Sequence, residues 1–291
     1  MALAVLCWGV EYPLMKQGTA SVGVLATGAA MFLVAAALLG LTLLICGGAR
    51  RGETPWRWLL LIGFLGAAIN VLVLVAFRFT SVANVATLSR TDVLFSMLIA
   101  TLLLGVRPDW RVVLFVPVML LGIGTLTGML TRKPQFGNPG DFLVIAAALG
   151  VSVNAFIIKR VVQKTSGLLV GAVNCAINAA LFLLALWVMN PPGAITGDAI
   201  RTTWPSLLFL GALSYLFFVG YYEALRAIPV WEALLMFLAM PVIAVLFGWV
   251  WLQEVPTAHQ WAGIALVSAG AAGIILLRRP VPSLRVKENV G

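Results

Sequence analysis

The feature that most constrains this chain is a series of apolar runs, each about 20 residues long, that recur along nearly its whole length. Runs of this length and composition cross a bilayer as helices, which satisfy their own backbone polar groups. With 62% hydrophobic and 10% charged residues, the 291-residue chain also has too few polar side chains to cover a water-soluble core. The sequence therefore predicts an all-α polytopic membrane protein.

Turn signals divide the chain into ten predicted transmembrane helices. The predicted spans are 2–18, 23–46, 56–77, 80–104, 109–129, 141–158, 167–188, 205–225, 230–252 and 259–277. The connections between them are too short to hold a soluble domain. Because ten is an even number, both termini are expected on the same side of the membrane.

The Lys and Arg residues favour one orientation. With cytoplasmic termini, thirteen of the nineteen lie inside, five lie outside, and Arg90 lies within a span. The inner thirteen are Arg50, Arg51, Arg57, Arg107, Arg111, Lys159, Arg160, Lys164, Arg226, Arg278, Arg279, Arg285 and Lys287. This bias is typical of cytoplasmic loops, so the net charge of +9 needs no nucleic-acid partner. The charge distribution therefore predicts that both termini lie in the cytoplasm.

The sequence repeats itself at a constant offset. A shift of 148 residues without gaps superimposes Trp56 on Trp204, Gly63 on Gly211, Arg78 on Arg226 and Pro108 on Pro256. We therefore predict two five-helix repeats, residues 1–134 and 135–291, the second ending in a short cytoplasmic tail. Since each unit has an odd number of spans, the second is inverted, as in alternating-access carriers.

The first predicted helix carries Trp8 and Gly9, with Lys16 eight residues after the tryptophan. The later part of the chain contains Ala224, Leu225, Arg226, Pro241, Glu254, Gly263 and Gly270. In these positions the sequence resembles the ten-helix EamA-type branch of the drug/metabolite transporter superfamily, whose first helix typically has Trp-Gly followed by a Lys. The first repeat departs from the pattern, with Val93 and Val106 where Pro and Glu are usual.

The resemblance, which covers essentially the whole chain, implies export of small metabolites across the bacterial inner membrane. Amino acids, aromatic or hydrophobic ones above all, are the substrate class it favours. The alternatives are an uncoupled facilitator, an exporter of drugs or other metabolites, and, more distantly, an intramembrane enzyme. The small multidrug-resistance members of the superfamily carry a membrane Glu at the position of Trp8, so Glu11 does not inherit a proton-coupling role by alignment.

The fourth span is unusually polar. Nine of its residues between 80 and 96 are polar, and they include Arg90 and Asp92. Such a helix is expected to line a cavity instead of facing lipid. At 100° per residue, Arg90 and Asp92 lie about 200° apart on a continuous helix, which predicts that they do not neutralise each other.

Glu11 is the other unusual charge. It shares a helix face with Trp8 and Tyr12, and Pro13 frees a backbone carbonyl at about the same depth. Glu11 belongs either to a central site or to the outer headgroup region as a solvated charge. Charges in the central site would bind a zwitterionic substrate or, in a second interpretation, lock the fourth helix in place.

The candidate substrate-binding residues are polar or aromatic side chains of the first, third, fourth and sixth spans. They are Trp8, Glu11, Tyr12, Asn70, Asn84, Thr87, Arg90, Thr91, Asp92 and Asn154. His259 is the one histidine, and the chain has no P-loop or H-E-x-x-H motif, so no catalytic residue, metal or cofactor is expected. The expected partners are a small-molecule substrate and membrane lipid, and the protein is expected to act as a monomer.

Overall fold

The computed structural model describes residues 1–46, 55–105, 114–126, 137–189, 197–228, 230–237 and 240–277, and every element in these ranges is a helix. The helices are α1 (Ala2–Ser21), α2 (Gly23–Cys46), α3 (Trp56–Ala76), α4 (Val82–Leu88), α5 (Thr91–Leu104), α6 (Phe115–Leu126), α7 (Pro139–Val162), α8 (Gly167–Met189), α9 (Gly197–Ala227), α10 (Val230–Met236), α11 (Met240–Leu252) and α12 (Ala258–Leu277). The predicted repeat boundary at 134/135 and the tail after 277 lie outside the described residues.

Six stretches of the described chain are long and apolar enough to span a membrane. They are Gly23–Cys46, Trp56–Ala76, Val82–Leu102, Pro139–Val162, Gly167–Met189 and Arg201–Ala227. The all-α class is thereby confirmed for the described part, and the chain is a multi-pass membrane protein. The count of ten spans and the inversion of the repeats stay predictions.

Two predicted spans are interrupted. The span predicted as 80–104 divides into α4 and α5, and the span predicted as 230–252 divides into α10 and α11. The bounds of α4, Val82–Leu88, become those of α10, Val230–Met236, when 148 is added. The two interruptions therefore fall at matching places in the chain.

The helix packing is also paired. Helices α1 and α7 have matching neighbours. Helix α1 packs on α9 and α11, and α7 packs on α3 and α5. Helix α4 packs on α11, and α10 packs on α5. The pairs α2–α8 and α6–α12 each join helices that correspond by position. This arrangement brings both interrupted spans, together with α1 and α7, around the middle of the molecule.

The core between α2 and α8 is closely packed. The rings of Phe32 and Phe182 stack with centroids 5.9 Å apart. A Cβ atom placed on Gly28 would lie 2.6 Å from the Phe182 ring, so only glycine permits this approach. Cys7 and Cys175 are buried in the core, whereas Cys46 is exposed at the end of α2.

Candidate functional site

The interruption between α4 and α5 has a local cause. The Arg90 N–H donates to the Thr87 carbonyl (3.0 Å) and the Asp92 N–H donates to the Ser89 carbonyl (3.1 Å). These i→i+3 bonds are tighter than those of an α-helix. The Ser89 hydroxyl also donates to the Val85 carbonyl at 2.5 Å. Hydroxyls bonded to the backbone in this way compete with regular helix geometry.

Arg90 joins the two interrupted spans. Its Nη1 donates to the Phe237 carbonyl at 3.2 Å, just beyond the last residue of α10, where helix carbonyls lack an intrahelical partner. The guanidinium carbon lies 5.1 Å from the centre of the Trp8 ring and 5.9 Å from that of Phe237. Both contacts are in the range of cation–π attraction. Arg90 thus lies between α1 and both interrupted spans, and its side chain is 0% exposed.

Arg90 and Asp92 form an ion pair, which the sequence analysis did not expect. Arg90 Nη2 lies 3.3 Å from Asp92 Oδ2, and both side chains are buried. The prediction that the two residues could not neutralise each other was wrong, because it assumed one continuous helix. Among the described residues, neither carboxylate oxygen of Asp92 and neither Nε nor Nη2 of Arg90 has a well-oriented hydrogen bond. The pair thus keeps unused bonding capacity.

Glu11 is buried in the protein interior. Its side chain is 1% exposed, so the alternative of a solvated charge near the headgroups was wrong. Its Oε1 has no hydrogen-bond partner among the described residues, and Ser214 of α9 lies within hydrogen-bonding reach of the carboxyl. On the next residue, the Tyr12 hydroxyl is 3.1 Å from the Ser89 hydroxyl and ties α1 to the interruption.

These groups border a cavity of about 100 Å³ that is lined by α1, α2, α3, α7, α8 and α9 around the α4–α5 interruption. Of the predicted site residues, the structure places seven on its wall: Trp8, Glu11, Tyr12, Asn70, Arg90, Asp92 and Asn154. The Asn154 Oδ1 has no partner in the described chain.

The other three predicted residues lie elsewhere. Asn84 and Thr87 are buried in α4, and their side-chain oxygens find no partner within the described ranges. The Thr91 hydroxyl donates to the Leu88 carbonyl at 2.8 Å. None of the three borders the central cavity.

Sequence reasoning missed an aromatic wall that comes from α9. The Phe217 ring lies 4.9 Å from Trp8 and stacks on Tyr221 at 5.4 Å, and both residues border the cavity. Their i, i+4 spacing was the available signal, but it is also typical of helix packing. Asn174, another unpredicted wall residue, donates to the Tyr222 hydroxyl at 2.9 Å.

Lysines hold the ends of two helix pairs. Near the end of α1, Lys16 forms an ion pair with Glu254, which follows α11, and its Nζ is 3.5 Å from the Thr80 carbonyl. Near the end of α7, Lys159 donates to the carbonyls of Leu225 (2.6 Å) and Ile228 (2.9 Å). Ile228 is the position that corresponds to Thr80 after a shift of 148 residues.

The fold defines a class, that of multi-pass helical membrane proteins with a central cavity. Residues 1–128 and 138–276 match the EamA-like transporter family. The chain belongs to that family, which confirms the resemblance seen in the sequence. Within the described residues, no group of three or more His, Cys, Asp or Glu side chains could hold a metal ion.

One curated relative is a protein of Streptantibioticus cattleyicolor named "Probable terminal-alkyne amino-acid exporter". It is 26% identical over 281 residues, which are 96% of this chain and 92% of the relative. A solved structure described as "Crystal structure of protein" superimposes with a TM-score of 0.72 at 22% identity and covers 96% of each chain. At that identity the likeness concerns the fold alone.

Proposed function

We propose that this protein is a secondary carrier that exports amino acids with apolar or aromatic side chains by alternating access through the central cavity. The observation that carries the proposal is the buried Arg90–Asp92 pair at the α4–α5 interruption, on the wall of that cavity. Family membership supports transport, and the relative's name supports export of amino acids.

A zwitterion suits the buried pair because it can exchange partners with it. The substrate carboxylate takes Arg90, and its ammonium group takes Asp92, so that no charge is left alone in the membrane. Arginine binds carboxylates through two parallel N–H bonds. Arg90 Nε and Nη2 have no well-oriented bond in the described chain, and they lie on one edge of the guanidinium. Glu11 is a second acid for the ammonium group.

Trp8, Phe217 and Tyr221 form the apolar surface for the substrate side chain. The cavity of about 100 Å³ is smaller than the engineered cavity of ~150 Å³ that binds benzene. An aromatic amino acid therefore enters only when the surrounding helices separate. A constricted centre of this kind is expected of a carrier between its two open states.

The paired packing supports the architecture we propose, ten spans in two inverted five-helix repeats. Discontinuous helices at matching positions of two repeats mark the substrate site of many carriers, and here both interruptions meet at Arg90. In this scheme the protein is a monomer of the bacterial inner membrane with cytoplasmic termini. The Lys16–Glu254 pair then closes the outer end, and Lys159 lies at the inner end.

The test is counterflow in proteoliposomes with phenylalanine and two analogues. Phenylpropionate lacks the ammonium group, and phenethylamine lacks the carboxylate. Each analogue loses one charged hydrogen-bonding group worth about 1.5–3 kcal/mol, so it should compete about 10- to 100-fold less well than phenylalanine. Asp92→Asn should weaken the binding of phenylalanine but not that of phenylpropionate. Arg90→Gln should weaken the binding of phenylalanine but not that of phenethylamine.

Arg226→Gln is the matched control, because Arg226 pairs with Glu223 outside the cavity and should leave transport unchanged. Equal transport of phenethylamine and phenylalanine would indicate a drug exporter instead. Absence of transport of any small metabolite, with or without a pH gradient, would count against the carrier. Transport that is indifferent to the gradient would identify the uncoupled facilitator.

The second interpretation is that the pair only locks the α4–α5 interruption in place. The hydrogen bond from Arg90 to the Phe237 carbonyl favours it, because that bond joins the two interrupted spans. Saturating phenylalanine distinguishes the two. A ligand that binds the folded state at 100 times its Kd stabilises it by about 2.7 kcal/mol. A substrate site at the pair predicts this stabilisation in the wild type and its loss in Asp92→Asn, whereas a lock predicts that phenylalanine affects the two proteins to the same extent.

A further inference from the structure

A second cavity, of about 670 Å³, lies on the lateral surface of the molecule. Its floor is the outward face of α7, and its sides are the beginning of α3 and the end of α5. Helices α3 and α5 both pack on α7, which leaves a groove along α7 between them. We call it the lateral groove. It shares no residue with the central cavity.

The lateral groove is basic at one end and apolar along its length. Arg160 and Lys164, four residues apart at the end of α7, border it and are exposed. Neither forms an ion pair with any carboxylate of the described residues. Further along, the walls are apolar and include Ile99 and Val153. Trp58, which is 48% exposed, lies at the start of α3, beside the basic end of the groove.

The length of the groove matches one leaflet of a bilayer. Val153 and Val162, the last residue of α7, are nine residues apart, which at about 1.5 Å per residue is a length of roughly 14 Å, and Lys164 follows in the turn beyond. The hydrocarbon core of a bilayer is about 30 Å thick, so one leaflet is about 15 Å. A tryptophan beside the charged end is typical of the headgroup level of a membrane.

We propose that the lateral groove binds an anionic phospholipid. The lipid phosphate lies between Arg160 and Lys164, and one acyl chain follows α7 between α3 and α5. Basic pockets between membrane helices bind acidic headgroups in this way. A cation near a helix C-terminus is also favourable for the helix itself, but that effect does not account for the apolar groove that continues from the two charges. With cytoplasmic termini, this lipid belongs to the inner leaflet.

Native mass spectrometry of the purified full-length protein tests the proposal by counting bound lipids during titration with phosphatidylglycerol or phosphatidylcholine. Wild-type protein should retain phosphatidylglycerol preferentially. Each basic residue contributes about 5-fold to binding of an acidic membrane surface, so Arg160→Gln/Lys164→Gln should weaken retention about 25-fold. The charge-matched control is Arg78→Gln/Arg201→Gln, which removes two exposed cations outside the groove and should leave retention unchanged.

Val153→Trp provides the second arm, because it fills the apolar part of the groove without changing any charge. It should also lower retention of phosphatidylglycerol. Excess inorganic phosphate should not displace the lipid, and displacement would show a site for the anion alone. Equal retention of the two lipids by the wild type would overturn the proposal. So would wild-type retention of phosphatidylglycerol by the Arg160/Lys164 double variant.

Discussion

The Arg90–Asp92 pair makes a quantitative prediction about stability. Within the described residues, the Arg90 side chain has one well-oriented hydrogen bond, to the Phe237 carbonyl, and one ion-pair partner, Asp92 at 3.3 Å. Asp92→Asn leaves a buried guanidinium whose charge is no longer balanced. Arg90→Gln leaves a buried carboxylate whose oxygens have no well-oriented hydrogen bond within the described chain.

Coulomb's law gives the size of the effect. At 3.3 Å and an effective dielectric constant of ~20, two unit charges attract by about 5 kcal/mol. Removing one partner of a buried pair is expected to cost about 3–5 kcal/mol, whereas removing both leaves no isolated charge and costs much less. We expect about 3 kcal/mol for Asp92→Asn, since asparagine can still accept a bond, and about 5 kcal/mol for Arg90→Gln. The double variant should lose below about 2 kcal/mol.

The assay is the free energy of unfolding in mixed detergent micelles, followed by circular dichroism for the wild type, both single variants and the double variant. Arg226 and Glu223 provide a matched control cycle, because they are also 3.3 Å apart but partly exposed. Their coupling energy should be below about 1 kcal/mol. If Arg90→Gln/Asp92→Asn loses the sum of its single variants, the two charges do not compensate each other and the reasoning is refuted.

Three further predictions follow from the structure. Lys16→Met should cost less than about 1 kcal/mol of stability, because the pair with Glu254 is partly exposed. The same change should increase the labelling, by a maleimide added from outside, of a cysteine introduced on the cavity wall. Unchanged labelling would argue against an outer gate. Gly28→Ala should destabilise the folded protein by about 1–3 kcal/mol, because the new methyl group meets a phenylalanine ring of α8. Gly40→Ala in the same helix meets no neighbouring atom and should be neutral or stabilising by up to about 1 kcal/mol. Thermal melting of the two variants measures the difference. An impermeant maleimide should label Cys46, the one exposed cysteine, only after cells are permeabilised; labelling of intact cells would reverse the orientation.

The sequence by itself determined the class of the protein. Apolar runs of about 20 residues can bury their backbone polar groups in lipid only as helices, so the multi-pass architecture follows from composition and length. The matching Trp and Gly positions and the first-helix motif indicated the EamA-like family, and the family comparison agrees. The cost of polar groups in a membrane also indicated that the span of Arg90 and Asp92 lines a cavity, but it left Glu11 between a central site and the headgroup region.

Only the tertiary structure decided how these groups meet. Whether Arg90 and Asp92 contact each other depends on an interruption of the helix at Ser89, and helical periodicity assumes that no interruption exists. The partner of Arg90 is the Phe237 carbonyl, a backbone group that every residue possesses and that no sequence pattern distinguishes. Phe217 and Tyr221 belong to the cavity wall because α9 packs against α1, whereas Thr87 is buried away from it. Sequence spacing fixes which residues share a helix face, but long-range packing decides what that face meets.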